Sequence, residues 1–158
     1  MALTVSTAIG ALFFVSGCAT NTERVSSQVV NSSLNIQYEP PSLANDLSSV
    51  GLQRVFVDYW QAGAERDWKR RYAHEKFVHP VEEKFYVAYH LAAWRLVELS
   101  ISDVKLAGQD ADVVMSVTYV NPETQDKHVV KVFDKWTVRD DDWKHVVQDP
   151  MLAGLRQQ

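Results

Sequence analysis

An α+β domain, with helices first and an antiparallel sheet after them, is predicted by two stretches and the turns around them. Leu52, Val55, Phe56, Tyr59 and Trp60 fall at i, i+3, i+4, i+7 and i+8, the apolar stripe of a helix that lies on something else. Residues 128–138, HVVKVFDKWTV, alternate instead. Val130, Val132, Asp134, Trp136 and Val138 share one face, and Val129, Lys131, Phe133, Lys135 and Thr137 the other, which is the period of a strand. β-rich segments on both sides are joined to it by turn signals, so it forms the middle of an antiparallel meander.

A chain of 158 residues with 46% hydrophobic and 11% aromatic content has room for one domain with a real core, plus a tail. Its net charge of −4 comes from sixteen basic and twenty acidic residues spread along the chain. No basic run exceeds Lys69-Arg70-Arg71, so nucleic acid is not an expected partner.

The first residues are different in kind. Residues 2–15, ALTVSTAIGALFFV, carry no charge and have the length of a secretory apolar region, too short to span a bilayer. They end in Val15-Ser16-Gly17-Cys18, and small residues before a cysteine, after an apolar run, resemble the lipobox of bacterial lipoproteins. Cys18 is the one cysteine of the chain. The resemblance implies a signal peptide over residues 1–17, cleaved before Cys18, whose sulfur and amine are then acylated. Ala19 rather than aspartate follows it, which by the sorting rule of that family implies the outer rather than the inner membrane in a Gram-negative source.

Residues 18–45 turn to Ser, Asn, Thr and Gln, with Pro40-Pro41 near the end, and are expected to form a lipid-anchored tether. Val29-Val30 and Leu34, Ile36 and Tyr38 leave room within it for a segment that pairs with a sheet edge or a partner, a plain linker being the expected reading. The domain is expected over residues 46–158. Asn45 or Ser48 can cap the first helix, and Gly63 loosens its end. Asp67 caps a second, shorter helix carrying Trp68 and Tyr72. A third follows His79-Pro80, with Phe85, Ala88, Tyr89, Ala92 and Ala93 predicted to face the sheet.

From Leu96 to Leu106 β-formers dominate, with a break in alternation near Ser102-Asp103 that a bulge would cause. Gly108-Gln109-Asp110 turns the chain into the alternating run from Val113 to Val120. Asn121-Pro122-Glu123-Thr124 delivers it into the central strand, and the acidic turn at residues 139–142 leads to a last strand over residues 143–147.

That order, with Tyr59-Trp60, Asp67-Trp68, Val104, Ala111, Val113, Trp136 and Asp142-Trp143-Lys144-His145-Val146 at its corners, resembles the NTF2-like superfamily, also called SnoaL-like or ketosteroid-isomerase-like. The resemblance implies a cone over residues 48–149, in which a curved antiparallel sheet wraps N-terminal helices and encloses a pocket. Tyr59, Trp136 and Trp143 would line that pocket.

Asp134 shares the inward face of its strand, and a carboxylate there is paired, or has a raised pKa, or lines a wet pocket. Meeting His145 and Tyr119 in a cone, it would resemble the base and donors of an isomerase or dehydratase acting on a small apolar or carbonyl compound. Paired across the sheet to a lysine or arginine, it would instead be structural, with His145 and Tyr119 satisfied in the core. His74, Glu75, His79 and Glu82 lack zinc-type spacing and are expected at the surface, so no metal is predicted. No Gly-rich phosphate loop or nucleophile elbow appears, and no cofactor is expected. The expected role is therefore a membrane-tethered envelope lipoprotein with a non-catalytic binding or assembly domain, the acid–base enzyme being the alternative. The membrane is an expected partner through the anchor. A homodimer or another envelope protein on the sheet, and a small apolar ligand in the pocket, are the further expected partners.

Overall fold

The computed structural model describes residues 34–152. The signal peptide expected over residues 1–17, the lipidation expected at Cys18 and the expected tether as far as residue 33 lie outside the described residues. Among the described residues no helix is long and apolar enough to cross a membrane.

The chain enters the fold earlier than a tether over residues 18–45 would allow. Strand β1 (Asn35–Tyr38) pairs in parallel with β3 (Arg95–Ala107), putting Ile36 and Tyr38 beside Leu99 and Ile101. Helix α1 (Leu43–Ser49) follows and buries Leu43 and Leu47. The end of the expected tether is therefore part of the domain, because alternating apolar residues beside a sheet edge remove more apolar surface from water than a solvated linker does.

Gly51, at φ 74°, breaks the chain between α1 and α2 (Leu52–Glu65). The stripe Leu52, Val55, Phe56, Tyr59 and Trp60 is buried along its length, against Leu99, Ile101, Val113, Met115, Val117, Trp136 and Trp143 of the sheet. Asp67 caps α3 (Trp68–Tyr72), its side chain accepting the Arg70 amide at 3.1 Å. After the two-residue strand β2 (Glu75–Lys76) comes α4 (Glu83–His90). The expected face of α4 is corrected: Phe85 and Tyr89 are exposed, and Tyr86 is buried with Trp68, Val147 and Leu152 in a second, smaller cluster. One large ring with a hydroxyl partner inside outweighs a face of alanines.

Strands β3, β4 (Asp110–Val120), β5 (Lys127–Arg139) and β6 (Asp142–Val146) form an antiparallel meander, with register shifts in β3 at Leu96/Glu98 and Ile101/Asp103. The complete sheet has six strands in the order β1-β3-β4-β5-β6-β2, and both outer strands run parallel to their neighbours. The fold class is corrected accordingly, from an antiparallel sheet under N-terminal helices to, among the described residues, a six-stranded mixed sheet with four helices. The sequence hides both parallel edges because β1 and β2 are four and two residues long. Segments that short leave no periodicity to read.

Candidate functional site: a closed charge cluster under the sheet

The register of β6 places His145 between two neighbours, with Trp136 of β5 on one side and Glu75 of β2 on the other. Asp134, two residues before Trp136, shares its face. His145 Nε2 lies 2.7 Å from Asp134 Oδ1, and Nδ1 lies 2.5 Å from Glu75 Oε2. An imidazole between two carboxylates donates at both nitrogens, so it is the charged form that this geometry holds.

Every other oxygen of the pair is engaged. Asp134 Oδ2 accepts from the indole nitrogens of Trp136 at 2.9 Å and Trp60 at 3.3 Å. Glu75 Oε1 accepts from the hydroxyls of Tyr86 at 2.7 Å and Tyr59 at 3.0 Å. The Tyr59 oxygen in turn accepts from Arg71 Nη2 at 2.9 Å and lies 2.9 Å from His145 Nδ1. Arg71 stacks over the Tyr59 ring, 4.4 Å from its centroid. Gly63 makes room for it, since a Cβ there would stand 2.7 Å from Arg71 Nη1. Two cations, Arg71 and His145, thus balance two anions, Glu75 and Asp134, with Tyr59, Tyr86, Trp60 and Trp136 completing the hydrogen bonds.

Burial alone works against a charged imidazole at His145, but Asp134 and Glu75 overcome it and push its pKa up to about 9. For Glu75, burial favours the neutral acid, yet His145, Arg71 and Tyr86 outweigh that and lower its pKa. Burial raises Tyr59 well above the usual phenol range. His90, in the smaller cluster, is pushed down to about 4 by burial and by Arg71, and stays neutral.

A pH dependence follows from these directions. His145, raised in the fold from about 6.5 in the unfolded chain, contributes stability that is fully present below about 6.5 and fades as pH climbs through about 9. Its full loss is of order 3 kcal/mol. Glu75 behaves oppositely, contributing above its unfolded pKa and losing that contribution as acid takes the pH through its lowered value. Urea midpoints measured near pH 6 and pH 9.5 should differ clearly in the wild type and much less in His145→Gln; equal midpoints in the wild type would rule out the charged imidazole.

The structure brings Asp134 and His145 together but leaves Tyr119 out of these hydrogen bonds, half-buried on the inner face of β4 with its pKa raised by burial. Tyr59 and Trp136 belong to the cluster rather than to an open wall. Trp143 is buried and donates its indole N–H to Val50 O at 2.9 Å, closing the end of α1. Glu75, expected at the surface, is instead at the centre, with its side chain 3% exposed. Sequence reasoning missed Arg71 and Tyr86 as well, since partners drawn from a short helix and a two-residue strand carry no shared spacing. Among the described residues no group of side chains has the arrangement of a metal site. Chemically, Asp134 already accepts three hydrogen bonds, from His145, Trp136 and Trp60, so its charge is taken up by groups of the fold itself.

The fold and this cluster define a mixed-sheet α+β domain stitched together by buried, mutually neutralised charges. No protein-family model matches the chain, and no curated protein sequence matches it. Among solved structures it is similar to the solution structure of RPA3114, a SEC-C motif containing protein from Rhodopseudomonas palustris, with a TM-score of 0.51 and 12% identity, over 68% of this chain and 84% of that one. At that identity the likeness concerns the fold alone. It corrects the resemblance to the NTF2-like superfamily: the six-stranded mixed sheet matches a SEC-C motif protein and not an NTF2-like cone. The residues that carried the resemblance have other work, Tyr59, Trp60, Trp136 and His145 in the charge cluster and Trp143 at the end of α1.

Proposed function

We propose that this protein is a lipid-anchored component of the bacterial cell envelope whose domain works by binding, its outer sheet face receiving a second copy of the chain. The observation that carries the binding half is that outer face. Phe133 is 60% and Val129 66% exposed, and Lys127, Lys131 and Lys135 stand exposed beside them on β5. Across β4 the same face presents Glu98, Asp103 and Lys105 of β3, with Asp112 between and paired to Lys135 at 3.7 Å. Exposed apolar side chains with lysines on one side and the two carboxylates Glu98 and Asp103 on the other are complementary to themselves at those two rows.

The registers favour one symmetry. Glu98, Thr118 and Val129 lie in one row across the sheet, and Asp103, Val114 and Phe133 in another. A two-fold axis parallel to β4 lays β5 of each copy over β3 of the other. Glu98 then meets Val129 between Lys127 and Lys131, and Asp103 meets Phe133 between Lys131 and Lys135. An axis across the strands would stack lysine on lysine.

The anchoring half rests on Val15-Ser16-Gly17-Cys18 after an uncharged run. Cys18→Ser is expected to shift the protein from the membrane fraction to the soluble one, or to block its processing. Unchanged membrane retention, with no fatty acid on the wild-type chain by mass spectrometry, would dispose of the anchor.

A further inference from the structure

We infer that the domain sits on the lipid surface by one particular edge, the rim that carries Leu91 and Trp94; this rests on the anchor proposed above. The rows of the sheet locate the rim. Asn35, Glu98, Thr118 and Val129 are in line, and beyond them come Leu96, Tyr119 and His128, then Arg95, Val120 and Lys127. The chain therefore enters the fold at the end of the sheet where β3 begins. The Leu34 amide donates to Gln61 Oε1 in the last turns of α2, and Arg66, just past that helix, donates to the carbonyls of Leu91 and Ala93. Leu91 and Trp94 thus belong to the same end of the molecule as the entry point. Trp94 packs on His128 with ring centroids 4.8 Å apart.

This end is apolar where it meets solvent. Leu91 is 61% and Trp94 41% exposed. Tryptophan is the residue favoured where hydrocarbon meets headgroups, because its ring is apolar and its N–H is not. Arg66, Arg95 and Lys127 at this end are offset by Glu123 and Asp126 of the β4–β5 turn, so the attraction to lipid is apolar rather than electrostatic.

Chain length selects the occupant. From Cys18 to Ser33 is a stretch of 33 − 17 = 16 residues, and a coil of that length has a mean reach of roughly 20–24 Å. Acyl groups at Cys18 would hold this rim, and not the opposite end, within that distance of the bilayer. At the resulting effective concentration, contacts too weak to bind a free protein suffice to orient a tethered one.

Trp94 itself supplies the test, because Trp60, Trp68, Trp136 and Trp143 are all 7% exposed or less. The mature chain is placed on vesicles of brominated phosphatidylcholine, held either by its own acyl groups or, as Cys18→Ser, by an N-terminal hexahistidine on a nickel-chelating lipid. Bromine quenches indoles within contact range. Most of the Trp94 emission, defined as the part lost in Trp94→Phe, should disappear relative to unbrominated vesicles, should stay quenched at high salt, and should partly return in Leu91→Asn. Equal Trp94 emission on the two kinds of vesicle overturns the proposal, as does quenching that high salt relieves. The nickel-held chain tests the docking edge even where Cys18 proves unacylated, so loss of the anchor and loss of the docking edge are read separately.

Discussion

Glu75→Ala should unfold in urea at a midpoint far below the wild type, with a loss of about 3–5 kcal/mol, the range for removing one partner of a buried ion pair. The substitution strips two tyrosine hydroxyls and one imidazolium of their acceptor at once, and leaves Arg71 and His145 facing only Asp134. Since whole domains are stable by about 5–15 kcal/mol, such a loss takes a large part of what holds the fold together. Glu75 also fastens β2 to β6 at the edge of the sheet and reaches Tyr86 on α4, so three elements loosen together. Glu82→Ala, at an exposed site outside the cluster, serves as the control and should shift stability by less than about 0.5 kcal/mol. A Glu75→Ala variant as stable as that control would mean the charge cluster is not holding the fold.

The second large effect concerns self-association. Reversing Lys131 and Lys135 to glutamate, or Glu98 and Asp103 to lysine, sets like charges across the proposed interface. Each set should weaken the dimer by at least about 100-fold, since such juxtaposition costs several kcal/mol. Mixing the two variants should restore a heterodimer, because with the axis along the strands each altered row meets an altered row of opposite sign. Native mass spectrometry and sedimentation read both outcomes. Failure of the mixture to associate would remove this symmetry, and a wild type that stays monomeric at high concentration would remove the second copy as occupant.

The long elements were legible because they repeat. α2 shows its stripe over two turns, and residues 113–120 of β4 and 128–138 of β5 alternate in sequence, so Asp134 could be placed facing inward beside Trp136. Asp67 could be read as a cap because the signal is local. The edges of the sheet could not, since β1 and β2 are held by partners some sixty to seventy residues away, and nothing in their own composition announces a parallel pairing. With the edges went the fold class. The same distance hid half of the charge cluster: Glu75 sits among His74, Lys76 and His79, a neighbourhood that looks solvated, and only the fold brings Tyr59, Tyr86 and His145 to it. Phe85 and Tyr89 misled for the opposite reason, forming a plausible apolar face on a helix that buries a different one.

The cluster also sets an order of events for a chain that is made from its N-terminus. Its members come from α2, α3, β2, α4, β5 and β6, and His145 is the last of them to emerge. A chain that ends before β6 carries Glu75 and Asp134 against Arg71 alone, with a net negative charge that has nowhere dry to go. Folding therefore waits for the C-terminal strand. Until then the cluster lacks the imidazolium that neutralises it, and a chain cut before β6 should lose the domain's cooperative unfolding and not merely its last strand.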